Sequence, residues 1–223
     1  RSSAGTTALL TRRSNSDPAM TKAATLPVVE TFHSLQGEGH HSGRSAFFIR
    51  LAGCTVGCPW CDTKHSWPPD HHPQMQLATL AEEASEACRN GAAFTVVTGG
   101  EPLHHALEPL TQALSVSGRP LHLETSGVDP LSGQFDWITL SPKRHRPPRE
   151  DLLRQCHELK VVIHNSEDLT FAESMATATA NSTLLLLQPG WDSPNGQQLA
   201  VDHARSNPRW RLSLQTHKWL GVR

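Results

Sequence analysis

The sequence predicts an α/β fold built as a partial (open) parallel β/α barrel, and three observations lead there. Apolar runs of strand length alternate with stretches of helical periodicity, Asn-Gly and Asp-Gly hairpin signals are nearly absent, and polar or glycine-rich residues follow almost every run. Strands alternating with helices imply right-handed βαβ crossovers and a mostly parallel sheet. In chain order the runs are residues 46–51, 94–97, 121–123, 137–140, 159–163, 184–187 and 210–214, seven candidate strands. Leu77, Leu80, Ala81, Ala84, Ala87 and Cys88 recur at helical spacing and stop at Gly91, a residue suited to a C-terminal cap. Leu103, Ala106, Leu107, Leu110 and Leu114 form a second such helix, ending at Gly118.

Composition narrows the class. A chain of 223 residues can bury a full core, about 70% of its extended surface, without staples. Hydrophobic residues make up 37% and charged residues 18%, and no apolar run approaches the ~20 residues that span a bilayer. The formal net charge of -1 argues against binding nucleic acid by counterion release. Residues 1–25 are rich in Ser, Thr, Ala and Arg and carry no periodicity; they are expected to be a disordered N-terminal extension, read as translated upstream sequence in preference to a transit peptide, with Met20 near the natural start and residues 26–223 as the folded domain.

In open parallel sheets, ligands lie beyond the carboxyl ends of the strands. There the sequence places Gly53-Cys54, Thr98-Gly99-Gly100-Glu101-Pro102, Glu124-Thr125-Ser126-Gly127, Ser141-Pro142-Lys143, His164-Asn165, Gln188-Pro189-Gly190 and Gln215-Thr216-His217-Lys218. Together they predict a polar pocket on one rim. Of five cysteines, an odd number that does not suggest a secreted disulfide scaffold, Cys54, Cys58 and Cys61 form C-x3-C-x2-C in a loop shaped by Gly53, Gly57 and Pro59. Converging thiolates repel one another unless a cation or cluster neutralises them, so this is a metal site in a reducing, cytoplasmic compartment. Two readings stand: a Cys3His zinc site completed by His65, or an iron-sulfur cluster with one iron left open to a small molecule. Cys88 and Cys156 read as ordinary buried thiols.

The cysteine loop after one strand and Gly99-Gly100-Glu101 after the next resemble the radical S-adenosylmethionine (SAM) enzymes. Within them, the stretch from Glu30 to Gly39 (ETFHSLQGEG), Cys61-Asp62-Thr63-Lys64-His65, Glu124-Thr125-Ser126-Gly127, Ser141-Pro142-Lys143 and the closing Gln215-Thr216-His217-Lys218 resemble the 7-carboxy-7-deazaguanine synthase family. The resemblance runs from about Val28 onward. It implies a barrel of the radical SAM type, a [4Fe-4S] cluster on Cys54, Cys58 and Cys61, SAM chelating the fourth iron, and Mg²⁺ on Thr63. It further implies cofactor contacts at Gly100, Glu101, Glu124, Ser126, Ser141, Pro142, Lys143 and Gln188. Substrate contacts are implied at Leu35, Gln36, Gly37, Glu38, Arg50, Thr98 and His217. The implied reaction is a radical ring contraction of 6-carboxy-5,6,7,8-tetrahydropterin with loss of ammonia, on the way to queuosine and related 7-deazapurines. No side chain beyond the cluster and SAM is assigned to the chemistry.

Residue chemistry suits these places while leaving alternatives. Arg50 can fork onto a carboxylate or close a sheet-end salt bridge, and Gln36 can donate and accept along a pterin edge. His217 can pair with the substrate carboxylate or cap the last strand, and Thr63 can hold Mg²⁺ or cap the turn after Cys61. The expected partners are the small-molecule pterin, a reducing protein such as flavodoxin or ferredoxin, and a second copy in a homodimer, with no nucleic acid and no membrane. Two rivals are a radical SAM activase acting on a partner protein, which lacks a use for the Leu35–Gly39 and Gln215–Lys218 motifs, and a zinc-dependent RNA-binding module. The latter wants interleaved aromatic and basic residues, yet aromatics are 5% of the chain and the basic stretch 143–149 is short and broken by proline.

Overall fold

The computed structural model describes residues 24–223. One nine-stranded sheet, ordered β3-β1-β2-β4-β5-β6-β7-β8-β9, organises them. The strands are β1 (Thr25–Leu35), β2 (Ser45–Leu51), β3 (Gln74–Gln76), β4 (Phe94–Gly99), β5 (Leu121–Thr125), β6 (Trp137–Leu140), β7 (Glu158–Ile163), β8 (Leu184–Pro189) and β9 (Trp210–Leu212). From β2 to β9 every pairing is parallel, whereas β1 runs antiparallel to both β2 and β3. All seven expected strands are present. β1 and β3 are additions that periodicity did not reveal, because Pro27 and the polar residues of β1 hide its alternation and β3 has three residues. The expected N-terminal extension lies outside the described residues up to residue 23, and its last residue, Thr25, already pairs with Gln76.

The helices are α1 (Leu77–Arg89), α2 (Glu108–Leu114), α3 (Glu150–Gln155), α4 (Ser166–Ala176), α5 (Pro194–Ser206) and α6 (Thr216–Leu220). The apolar stripe of α1 is buried along its length, and Gly91 follows with φ +107°, as the capping argument required. The second expected helix is shorter than its pattern: Leu103 sits in a 3-10 turn, and α2 begins only at Glu108. Leu103 and Leu107 are buried nonetheless, so the apolar spacing marked core contacts without a continuous helix. α4 starts on a capping box between Asn165 and Asp168.

Register divides the sheet into two faces. Ile49, Val97, Leu123, Leu140, Leu159, Val161 and Leu187 point outward and form the main core with α1, α2 and α3. Truncating one of these fully buried leucines to alanine costs about 2–5 kcal/mol. The other face looks into the half-barrel. There the cross-strand register lines up Arg50 with Thr98, then Glu124 with Thr139 and Thr139 with Glu158. Parallel strands covered on both faces normally read as apolar runs, so these charged residues mark the face that meets a polar interior.

A loop, residues 36–44, enters the half-barrel between β1 and β2 and divides that interior. Its lower side carries His40 and His41 into an aromatic stack at the amino ends of the strands: His122 lies 4.1 Å from Phe94 and 4.7 Å from His41, and Trp137 lies between His40 at 5.3 Å and His157 at 5.1 Å, all between ring centroids. Burial lowers the pKa of His41 to about 4 and of His122 to about 3, helped by Arg44 and neighbouring histidines. Both rings are therefore neutral in the folded protein, while in the unfolded chain they take up protons near 6.5. Their contribution to stability is complete above pH 6.5 and is lost as the pH falls toward 4 and 3. Thermal melts should show Tm dropping from pH 6.5 to 5, and His122→Phe, which keeps the stack without the proton site, should flatten that slope; parallel slopes in the two proteins would remove His122 from the acid response.

Candidate active site

At the carboxyl ends of the parallel strands lies a cavity of about 520 Å³. A second lobe of about 460 Å³ shares Glu38, Cys58, Cys61, Lys143 and Lys160 with it and extends to Gln188, Pro189, Gly190 and Trp191. The cysteine loop forms the roof. It follows β2 without helix or strand, as Gly53, Gly57 and Pro59 dictate, and all three of its sulfurs line the larger lobe. Burial pushes the Cys54 and Cys58 thiols above their ordinary 9.0, and the neighbouring sulfurs add to the shift in each. A positive group among them relieves that cost by taking the thiolates as ligands.

The donor set fits a cluster better than one zinc ion. A structural zinc site takes four protein donors around one point, and the fourth donor that the sequence offers is not among the residues lining this cavity. His65 is exposed in a 3-10 turn outside the cavity lining. Cys88 and Cys156 are buried free thiols elsewhere, and burial raises Cys156 to about 12. Against the cysteine loop packs the turn after β4. Gly100 has no room for a side chain, since a Cβ there would stand 2.5 Å from Gly53 O and 2.8 Å from the Cys54 Cβ.

Glu101 behaves differently from the sequence expectation. Its side chain is 1% exposed and accepts from the Leu103 amide at 3.0 Å, the Thr125 hydroxyl, the Ser126 amide at 2.8 Å and the Ser126 hydroxyl. All four acceptor positions are thus filled by the protein. Glu101 is a bracket between the turns after β4 and β5, and Gly100 and Ser126 are what those turns present to the cavity. Pro142 is likewise buried outside the lining, whereas Ser141 and Lys143 beside it reach the cavity, the Lys143 Nζ donating to Ser141 Oγ at 2.8 Å. Burial depresses the Lys143 ammonium below its usual range.

The floor is the upper side of the 36–44 loop. Gln36 donates from Nε2 to Glu124 at 2.9 Å and accepts the Glu38 amide on Oε1 at 3.1 Å, which fixes its amide orientation. Glu124 also accepts from Thr98 Oγ1 at 3.0 Å. Glu38 pairs with the buried Lys160 and accepts from Gln215 Nε2 at 2.7 Å. Burial alone would raise the Glu38 carboxyl, but the Lys160 charge and hydrogen bond, with Gln215 and His217, hold it at about 2. Burial drives Glu158 upward, and it is served by the His40 amide and Thr139, each at 2.9 Å. Leu35 reaches the cavity from the end of β1. Gln188 lines the second lobe and accepts from Ser213 Oγ at 2.8 Å.

His217 stands in α6, beyond the last strand, so it does not cap β9. Its side chain packs against Gly37, where a Cβ would come within 2.1 Å of its Nδ1. Arg50 does close a salt bridge, to Glu30 at 2.9 Å, while lining the cavity. The Thr63 hydroxyl sits 3.5 Å from Cys61 Sγ at the cavity edge. Sequence reading missed Lys160 and Phe48, and it gave no role to Asp62 and Lys218 within the motifs that contain them; all four line this space. For Lys160 a signal existed: a lysine inside the apolar run 159–163 faces a polar interior or is unpaired.

The Radical SAM superfamily profile matches residues 48–163, just over half of the chain, and the cavity with its three-cysteine roof is the corresponding part of the structure. The protein is thus a radical SAM enzyme, of the class that works with a [4Fe-4S] cluster and SAM. It is 54% identical over 220 residues to a 7-carboxy-7-deazaguanine synthase of Prochlorococcus marinus, covering 88% of this chain and 98% of the relative. The enzyme of that name in Escherichia coli is 34% identical with the same coverage. A crystal structure of QueE from Escherichia coli matches with a TM-score of 0.76 at 32% identity, covering 86% of this chain and 95% of that one. The chain belongs to the 7-carboxy-7-deazaguanine synthase family.

Cluster loading should follow the sulfurs of the loop. After anaerobic reconstitution, Cys54→Ala, Cys58→Ala and Cys61→Ala should each lose most of the four-iron absorbance, and Cys88→Ala and Cys156→Ala should keep it. A folded Cys88→Ala protein without iron would overturn the assignment.

Proposed function

We propose that this enzyme converts 6-carboxy-5,6,7,8-tetrahydropterin to 7-carboxy-7-deazaguanine with release of ammonia, as a carbon-nitrogen lyase in 7-deazapurine biosynthesis. The observation that carries the reading is the meeting of three segments on one cavity: the cysteine loop, the Gly99-Gly100 turn and the Gln36-Gly37-Glu38 floor. When bound on Cys54, Cys58 and Cys61, the cluster with SAM supplies the one-electron chemistry that a radical ring contraction needs. The protein's own residues bind and orient. Gly100, Ser126, Ser141, Lys143, Glu124 and Gln188 are the candidates to receive SAM, with Glu101 acting through the turn it braces and Pro142 by shaping the turn before Lys143. The lobe that reaches Gln188 and Trp191 offers an apolar wall and polar ends for a nucleoside.

Leu35, Gln36, Gly37, Glu38, Arg50, Thr98 and His217 are the candidates to hold the pterin. The fixed amide of Gln36 offers a donor and an acceptor to a heterocycle edge, and Arg50 suits a carboxylate. Thr63 supplies one hard oxygen for Mg²⁺, which keeps several waters and takes its remaining ligands from bound molecules. Two protein partners go with this reading. The basic segment 143–149 and the exposed Trp60 lie beside the cysteine loop and suit an acidic one-electron donor such as flavodoxin or ferredoxin, while exposed Leu212, Leu214, Trp219 and Leu220 suit a second copy of the chain. Five free thiols are in keeping with a reducing cytoplasm.

Reconstituted enzyme given a reductant, SAM, Mg²⁺ and the tetrahydropterin should form 7-carboxy-7-deazaguanine and one ammonia per turnover while SAM is recovered. Consumption of SAM without the deazapurine would refute the assignment. Thr63→Ala should retain cluster and SAM binding and lose most of the Mg²⁺ stimulation of turnover. Equal Mg²⁺ dependence in both proteins would leave Thr63 as a turn residue.

A further inference from the structure

Across the β1–β2 ribbon, Glu30 is directly opposed to Arg50, and Phe32 to Phe48. The two phenyl rings are stacked at 4.9 Å, and the Arg50 guanidinium lies over Phe32 at 5.9 Å from its centroid. All four line the cavity. Arg50 donates to Glu30 from Nε alone, at 2.9 Å, and its Nη1 and Nη2 have no hydrogen-bond partner among the described residues. A carboxylate that occupied the binding edge of an arginine would grip two nitrogens in parallel. Glu30 takes one, and its other oxygen is ion-paired with Arg223 Nη2 at 2.8 Å.

We propose that Glu30 is a positioning residue for Arg50: it anchors the Nε side against the Phe32 face and leaves the Nη1/Nη2 pair aimed at the carboxylate of the substrate, so that the site selects carboxylated over uncharged pterins. This rests on the reading of the cavity as a carboxypterin site. Glu30 touches neither the reacting ring nor SAM in this role, so its loss acts on affinity and selectivity and spares the chemical step.

The test compares wild type, Glu30→Gln, Arg50→Gln and the double variant as reconstituted holoenzymes. KM and kcat are measured for the tetrahydropterin, and the Kd of 6-carboxypterin and 6-hydroxymethylpterin by equilibrium dialysis. Glu30→Gln should raise KM and the 6-carboxypterin Kd about tenfold, the loss expected for one misaligned charge-assisted bond, with kcat within about twofold. Affinity for 6-hydroxymethylpterin should not fall in step. In the Arg50→Gln background, Glu30→Gln should add no further loss, because its effect passes through Arg50. Additive losses, equal weakening of both pterins, or an unchanged KM would each overturn the inference. A wild-type enzyme that does not turn over the tetrahydropterin would instead overturn the functional reading on which it rests.

Discussion

One buried cation organises the interior. Lys160 points from the middle of β7 into the half-barrel, where burial would strip its proton were it not for Glu38, Glu124 and Glu158, which together raise its pKa above the usual lysine range. An unpaired charge there is costly, on the order of 3–5 kcal/mol once its partner is removed. The nearest partner, Glu38, belongs to a loop, so the 36–44 segment must enter the barrel to meet Lys160. Glu38 is held ionised down to about pH 2, so the pair's contribution to stability is complete from about pH 4.5 up to the usual lysine range and is lost as the pH falls from 4.5 toward 2. Everything that loop carries follows from the pairing: the orientation of Gln36, the seat of His217 on Gly37, and the amides of Gly39 and His40 delivered to Ser213 and Glu158.

The same segment separates two environments a few residues apart. Above it, carboxylates, amides and hydroxyls form a satisfied polar network; below it, the neutral rings of His41 and His122 pack with Trp137 and Phe94 as aromatic surface at the barrel bottom. Gln36 to Glu38 serve the first and His40 to His41 the second, which accounts for the concentration of glycines around them. Gly39, with φ +70°, lies where a Cβ would press to 2.3 Å from Glu158 Oε1. The turn between the two environments therefore admits no side chain.

Much of this was legible beforehand. The parallel core, the loop character of the cysteine segment and the polar rim all follow from local signals: apolar runs, breakers, and the rule that ligands lie beyond strand ends. What local signals miss is direction. Glu101 reads the same at a strand end whether it faces the cavity or turns back, and only Thr125 and Ser126, brought alongside by the β4–β5 pairing, decide that it turns back. Lys160 announced itself only as a lysine inside an apolar run, which gives its face but not its partner Glu38, and β1 was hidden by Pro27 and its polar residues. Arg50 closes the sheet-end ion pair and still lines the cavity, and the two are compatible because only Nε is engaged.

The attachments of the cysteine loop carry a final consequence. Thr55 donates its amide to His104, its carbonyl accepts from Arg146, Val56 accepts from His145, and the amides of Gly53 and Cys54 reach Ser66 and Trp67. None of these bonds involves a sulfur. The strand-proximal part of the loop, residues 53–56, is thus anchored through its own backbone to three separate segments, which set where Cys54 stands without engaging its sulfur.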